Sequence, residues 1–469
     1  MSSQLNISRR NFLKNSTYVT VGFLGLRHFT TPTLKAQSYM NEVPGYGPLS
    51  ADPQFILDLP PGFQYKVLSR TGDYMDDGFR TPGAPDGMAA FPGPGDNTIL
   101  VRNHELLADR TYLGPFGLEN ELLRKIRQSK IYDIGRAGMP ALGGTTTVLY
   151  NHKKQQVTKQ FLSLAGTARN CAGGPTPWGT WITCEETTAR ADNSLSKDHG
   201  FNFEVLATSK IYLSDPNPLL EMGRFNHEAV AVDPKSGIVF QTEDAVDGLI
   251  YRYIPHEYGK LINGGRLQAL AVKSNKSLDT RNWPTLNSPT VPIGSPMFVE
   301  WIDLEDILSP NNDLRYQGFD KGAARFARTE GMWYGKGEIY FVSTNGGNNL
   351  SGQIWRYTPS PYEGTKKEAE HPSQLELYLE PNDNHLLESC DNITVAPWGD
   401  LIVCEDGAND QYLRGITPEG KIYTFAHNNY FGDAELCGAC FAPNHPTLFV
   451  NIQWPGITLA ITGPWKTQI

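Results

Sequence analysis

Several common chemistries are missing from this 469-residue sequence. It has no G-x-S-x-G elbow, no H-E-x-x-H and no Ser-His-Asp arrangement, so serine-nucleophile and zinc-peptidase readings find no support. A single C-x-x-C, Cys437 to Cys440, has no second copy, so a four-cysteine zinc site is not expected. That pair reads equally as a redox couple, half a metal site or two small buried residues. Basic clusters are absent and net charge is −9, so nucleic acid is not an expected partner. Beyond the N-terminus no stretch is long and apolar enough for a membrane span, so none is expected in the mature chain. The run Gly346-Gly347-Asn348-Asn349 has no helical pattern after it and reads as a turn, not a phosphate-cradling loop.

What the chain does have is punctuation. Its 46 Gly and 33 Pro suit many short strands joined by turns and argue against a helical bundle. The first 36 residues read as a targeting segment. Ser8-Arg9-Arg10-Asn11-Phe12-Leu13-Lys14 is a twin-arginine pattern, followed by a moderately apolar stretch over 16–26 and a cleavage position near Ala36. The expectation is a signal peptide over 1–36, export of the folded protein by the twin-arginine machinery to the periplasm or medium, and one catalytic domain over 37–469.

Internal repetition carries most of the information. A shift of 220 positions takes Pro177-Trp178-Gly179 to Pro397-Trp398-Gly399 and Cys184-Glu185-Glu186 to Cys404-Glu405-Asp406. Under the same shift Cys171 falls on Asp391. A looser pair sets His227-Glu228 against Thr329-Glu330, and Thr242-Glu243-Asp244 against Thr344-Asn345-Gly346. Segments starting at Asp86 and Glu435 share the outline, the first leading to Asn103-His104-Glu105. The unit is a polar residue, a strand of small residues, a turn, an apolar strand, then acids or amides. Six such units predict an all-β, six-bladed propeller with loop and short-helix insertions. The insertions are expected at 106–145, with a helix over 118–128, and at 187–222 and 255–325.

In such a fold the repeated acids converge on one mouth of the central channel. Asn103 with Glu105, Glu185 with Glu186, Glu243 with Asp244, Asp391 with Asn392, and Glu405 with Asp406 are oxygen ligands of the kind Ca²⁺ takes. Gathered in one place they repel unless a cation neutralises them. Adjacent acids on a strand face opposite ways, and sequence does not say which member faces the mouth. Cys171, at the repeat position of Asp391, reads either as a thiolate ligand for a softer metal such as iron or as a buried core cysteine. Arg328 reads either as a fork for phosphate oxygens or as a salt-bridge partner for the acids. His227 ranks below the carboxylates.

These residues resemble the PhoX-type alkaline phosphatases. The likeness is carried by the twin-arginine pattern, Asn103-His104-Glu105, and the run from Asn170-Cys171-Ala172-Gly173-Gly174 through Cys184-Glu185-Glu186. Gly223-Arg224-Phe225-Asn226-His227-Glu228, Arg328-Thr329-Glu330-Gly331, Asp391-Asn392 and Cys404-Glu405-Asp406 complete it. The resemblance implies a two-iron centre with several Ca²⁺ ions, and small phosphorylated organic substrates. Cys171, Glu228 and Glu330 would be iron ligands. Asn103, Glu105, Glu185, Glu186, Glu243, Asp244, Asp391, Glu405 and Asp406 would be metal ligands or their support, and Arg328 would hold the phosphate. The implied reaction is phosphomonoester hydrolysis by in-line attack at the Fe/Ca centre. Two other readings remain open from sequence: a Ca²⁺-dependent propeller lactonase or esterase, and a non-catalytic propeller that binds a partner.

Overall fold

The computed structural model describes residues 39–136, 138–430 and 434–466. The twin-arginine segment and its cleavage position lie outside these. Asn41–Ile469 forms one unit, and among its described residues nearly all regular structure is β.

The strands form five sheets in a propeller-like arrangement. The first meanders through Pro85–Pro92, Asn97–His104, Gly143–Asn151 and Gln156–Thr167. The second holds Asn170–Pro175, Thr180–Glu185 and Asn202–Leu206. The third has nine strands because two meanders join. One runs from His227–Val232 to Met297–Asp303, the other from Thr329–Gly335 to Gln374–Leu379, and Met297 and Phe298 pair with Leu375 and Gln374 at the seam. The fourth starts at Cys390–Val395 and is completed by Leu57–Asp58. The fifth starts at Leu436–Phe441 and is completed by Gln64–Arg70, which pairs with Ile457–Thr462. Strands from the start of the unit thus close the last two sheets, leaving those edges paired rather than exposed.

Each meander begins with an innermost strand, and these strands pack side by side in a closed circuit: Pro85–Pro92, Asn170–Pro175, His227–Val232, Thr329–Gly335, Cys390–Val395, Leu436–Phe441 and back to the first. They share one irregularity. A paired residue (Pro85, Asn170, His227, Thr329, Cys390 or Cys437) is followed by two residues outside the ladder before pairing resumes. Such a bulge bends the strand and re-aims its side chains. The second bulge residue is Gly87, Ala172, Ala229, Gly331, Asn392 or Ala439, and these six line a central cavity. At the two glycines smallness is obligatory. A Cβ on Gly87 would lie 2.6 Å from the Ala172 Cα, and one on Gly331 would lie 2.6 Å from the Asp391 carbonyl oxygen. Outside this ring the second strands are buried on both faces, as in Leu401–Glu405 and Thr447–Ile452. They therefore read as continuous apolar runs rather than alternating ones.

Three expectations are corrected. Residues 118–128 form no α-helix but a 3₁₀ turn, Glu121–Lys125, opened by Asn120 in the left-handed region at φ 58°. Asn120 in that conformation breaks the run, and the stretch left after it is short for a stable helix. The stretches 187–222 and 255–325 are not wholly insertions. They contain the strands Asn202–Leu206, Gly265–Val272 and Met297–Asp303, with the α-helix Leu314–Asp320 in the second. The register of the looser repeat also changes. Glu243 corresponds to Ser343, and Asp244 to Thr344, because the hairpin after Tyr334 is two residues shorter than that after Val232. A slip of two keeps every side chain on its face, which is why the sequence match survived it.

Candidate metal centre

The first bulge residue of five innermost strands is Asp86, Cys171, Glu228, Glu330 or Asp391, and all five are buried. In the sixth the position is Gly438, and the acid comes instead from Glu435, just before the strand. The bulge turns these side chains to one end of the ring. They meet there as overlapping triads whose ligand atoms lie within 4.8 Å of one another: Asp86, Glu435 and Cys437; Asp86, Glu105 and Cys171; Cys171, Glu186 and Glu228; Glu228, Glu330 and Asp391.

Burial, reinforced by the neighbouring acids, pushes Asp86, Glu228, Glu330, Asp391 and Glu435 well above the usual carboxyl range. It pushes Glu186 up to about 9 against the pull of Arg169. The Cys171 thiol rises for the same reasons, and its S–H points to Asp86 Oδ2 at 3.5 Å. Both carboxylate oxygens of Glu228 are buried and have no hydrogen-bond partner among the described residues. An unpaired buried carboxyl is costly. A cation among these groups removes that cost, and a thiolate within a carboxylate set fits a transition metal better than Ca²⁺ alone. The residues present therefore fit a multinuclear metal centre.

The ends of the second strands settle how the paired acids face. Glu105, Glu186, Asp244 and Asp406 follow residues paired to the residue just before each bulge and lie at the mouth. Glu105 and Glu186 join the triads; Asp244 and Asp406 stay on the rim. Asp244 is held by Arg328 through Nε and Nη2, each 2.9 Å, while the solvent-reaching Asp406 shares a hydrogen bond with Glu435. Glu185, Glu243 and Glu405 turn away from the triads. Glu185 accepts from the backbone of Ala168, Gly200 and Phe201 and bonds His199 Nδ1 at 2.6 Å. Burial alone would lower His199, but Glu185 and Asp133 on either side raise it to about 9. Glu243 meets Tyr251 Oη at 2.7 Å and Arg315 at 3.5 Å. Glu405 meets Arg414 Nε and the Glu388 amide, both at 2.8 Å, with Oε2 left unpartnered among the described residues.

Asn103 also lies behind the mouth. Its Nδ2 donates to the carbonyls of Cys171 and Ala172, and its Oδ1 accepts from Trp181 Nε1 and Thr183 Oγ1. Its amide thus fixes the strand that carries the thiol. His227 is buried against Phe225 with Nε2 at 3.0 Å from the Gly223 carbonyl, and burial lowers it to about 3. Arg328 lies on the rim with φ 44°, its Nη2 also reaching Glu330 at 2.7 Å.

Sequence reasoning did not single out Asp86, Glu435 or Arg169. Asp86 occupies the Cys171 position of its own repeat, and aligning all six units on the small residue would have found it. Glu435 opens its segment as a polar residue, but it stands three positions before Gly438, the equivalent of Cys171, so alignment of the units does not mark it as a ligand. Cys437 and Cys440 resolve into different environments. Cys437 faces Asp86 and Glu435, while Cys440 packs with Met88, Leu100 and Phe449.

Comparison with known proteins agrees with the fold. Over almost all of its length the chain, of 18% identity, superposes on Pseudomonas fluorescens PhoX in complex with vanadate, a transition state analogue (TM-score 0.65, covering 91% of this chain and 98% of that one). Slighter likenesses are a gluconolactonase from Xanthomonas campestris (TM-score 0.38, 10% identity, 91% and 100% covered) and virginiamycin B lyase from Staphylococcus aureus (0.36, 12%, 85% and 99%). At that level they say nothing about function. No curated protein sequence matches. The family model described as alkaline phosphatase PhoX matches residues 44–456, and the chain belongs to that family of phosphomonoesterases.

Proposed function

We propose that this protein is an exported, metal-dependent alkaline phosphatase that releases inorganic phosphate from small organic phosphomonoesters. The observation that carries the reading is Glu228, with both carboxylate oxygens unpartnered between Cys171, Glu186, Glu330 and Asp391. Counting the nine-stranded sheet as two blades, the framework is a six-bladed propeller within a single catalytic domain over 37–469. The twin-arginine pattern supports export to the periplasm or medium.

Cys171, Glu186, Glu228 and Glu330 would hold iron, and Asp86, Glu105, Asp391 and Glu435 would complete the set with calcium. Metal ions held there would supply the Lewis acidity and positive charge that phosphoryl transfer needs. The chain's own residues do the rest. Arg328 offers the substrate phosphate the part of its guanidinium not bound to Asp244 and Glu330, and so takes up charge developing on the transferred group during in-line displacement. Asp244 and Glu330 hold that fork in place, and Asn103 keeps the Cys171 strand against its neighbour. Glu185, Glu243 and Glu405 fix the loops behind the mouth.

The test is hydrolysis of p-nitrophenyl phosphate at alkaline pH before and after chelation, with iron and calcium then returned. Loss on chelation and recovery on re-addition are expected. Undiminished activity in the chelated protein overturns the reading.

A further inference from the structure

Arg169 and Arg328 occupy the same place in two repeats, immediately before an innermost strand. Both adopt the left-handed backbone, φ 48° and 44°, as Ala84 and Ser389 do at the same place in two other repeats, so the repeat itself sets the direction in which these side chains leave the strand. Both side chains are 37% exposed. Each reaches back to the acid ending the second strand of the preceding repeat, Glu105 for Arg169 and Asp244 for Arg328. Each then bonds an acid of its own repeat through Nη2, Glu186 at 2.6 Å and Glu330 at 2.7 Å. In both, Nε and Nη2 are engaged, and Nη1 makes no hydrogen bond among the described residues.

Two guanidinium groups are thus fixed by the same device and left with the same donor free at the mouth. A salt bridge alone does not require that the free edge be repeated. Between them stands a whole repeat, whose Glu228 lies in the ring, together with the hydrogen-bonded carboxyls of Glu186 and Asp244. We propose that Arg169 binds a second acidic group of the substrate, so that the preferred substrates are phosphomonoesters whose alcohol carries another phosphate or a carboxylate. This rests on the phosphatase reading and adds substrate class to it.

The experiment compares kcat/KM of the metal-loaded enzyme for fructose 1,6-bisphosphate, 3-phosphoglycerate and p-nitrophenyl phosphate in wild type, Arg169→Ala, Arg169→Gln and Arg169→Lys, with metal content measured alongside. The expected result is a tenfold or larger fall in the ratio of either two-acid substrate to p-nitrophenyl phosphate in the Ala or Gln variant. That fall appears mainly in KM, whatever loss all substrates share, and Lys restores part of it. The arm that falls more, bisphosphate or phosphoglycerate, identifies the second group as phosphate or carboxylate. Ratios within threefold of wild type in every variant, or no turnover of either two-acid substrate by a wild type that cleaves p-nitrophenyl phosphate, overturn the inference. Failure of wild type to cleave any of the three overturns instead the phosphatase reading beneath it.

Discussion

Glu185 and Glu186 are neighbours in sequence and face opposite ways: Glu185 is bound to His199 at 2.6 Å behind the mouth, and Glu186 to Arg169 at 2.6 Å within it. The same division separates Glu243 from Asp244 and Glu405 from Asp406. It follows from the alternation of a strand, with the first acid of each pair anchoring a loop and the second facing the substrate side.

The pair therefore separates under substitution. Glu186→Gln is expected to lower bound metal and activity together. His199→Ala leaves Glu185 and Asp133 buried without their shared partner and is expected to destabilise the protein by about 3 kcal/mol or more. Denaturant unfolding with metal analysis checks both. Equal metal loss in the two variants at unchanged stability would contradict the division.

Stability should depend on pH in opposite senses with and without metal. Burial, then mutual repulsion, raises Glu228 well above its ordinary 4.5 and Glu186 to about 9. A carboxyl raised on folding contributes stability that is complete below its unfolded pKa and is lost as pH rises through the folded one. Chelated protein should therefore melt at a lower temperature at pH 9 than at pH 6.5, and Glu228→Gln should flatten that slope. His199 contributes in the same direction over this range, whereas buried His227, lowered to about 3, acts only at more acid pH. Calorimetry after iron and calcium are returned should show the drop reversed. A chelated protein that gains stability toward pH 9 would exclude the buried carboxyl ring as its origin.

Arg328→Ala should reduce kcat/KM for phosphomonoesters by about 10²–10³, the usual effect of removing one charge-stabilising donor. Arg328→Lys should recover only part, since an ammonium cannot keep the two-oxygen grip on Asp244 and still present a free edge. A change under threefold in steady-state kinetics would remove Arg328 from the reaction.

All six cysteines are free and buried. Thiol titration of the denatured, non-reduced protein should count six, and reductant should leave the melting temperature unchanged. A count of four would mean that one pair is joined, and peptide mapping would show whether it is Cys437 and Cys440, which here face Asp86 and Met88 respectively.

Much of this was legible in the chain. The 220-position shift placed Cys171 and Asp391 at one repeat position, and the ladder puts both after residues paired to Glu185 and Glu405. Glu228 and Glu330 emerged the same way. Small residues at the axis were readable because Gly87 and Gly331 admit nothing larger. The facing of paired acids was not readable, since it depends on bulges that leave no compositional mark. Outer strands such as Asn202–Leu206 were missed because they are short and flanked by loop-like sequence. Glu435, although it opens its repeat, was not counted among the ligands because Gly438 occupies the position where every other repeat carries its ligand-type residue.

The most direct test of the whole account is the metal content of purified wild type, Cys171→Ala and Glu228→Gln, each shown to be folded. The account predicts iron and calcium in wild type, with loss of iron in both variants. A folded wild type that hydrolyses phosphomonoesters with neither metal bound would contradict it.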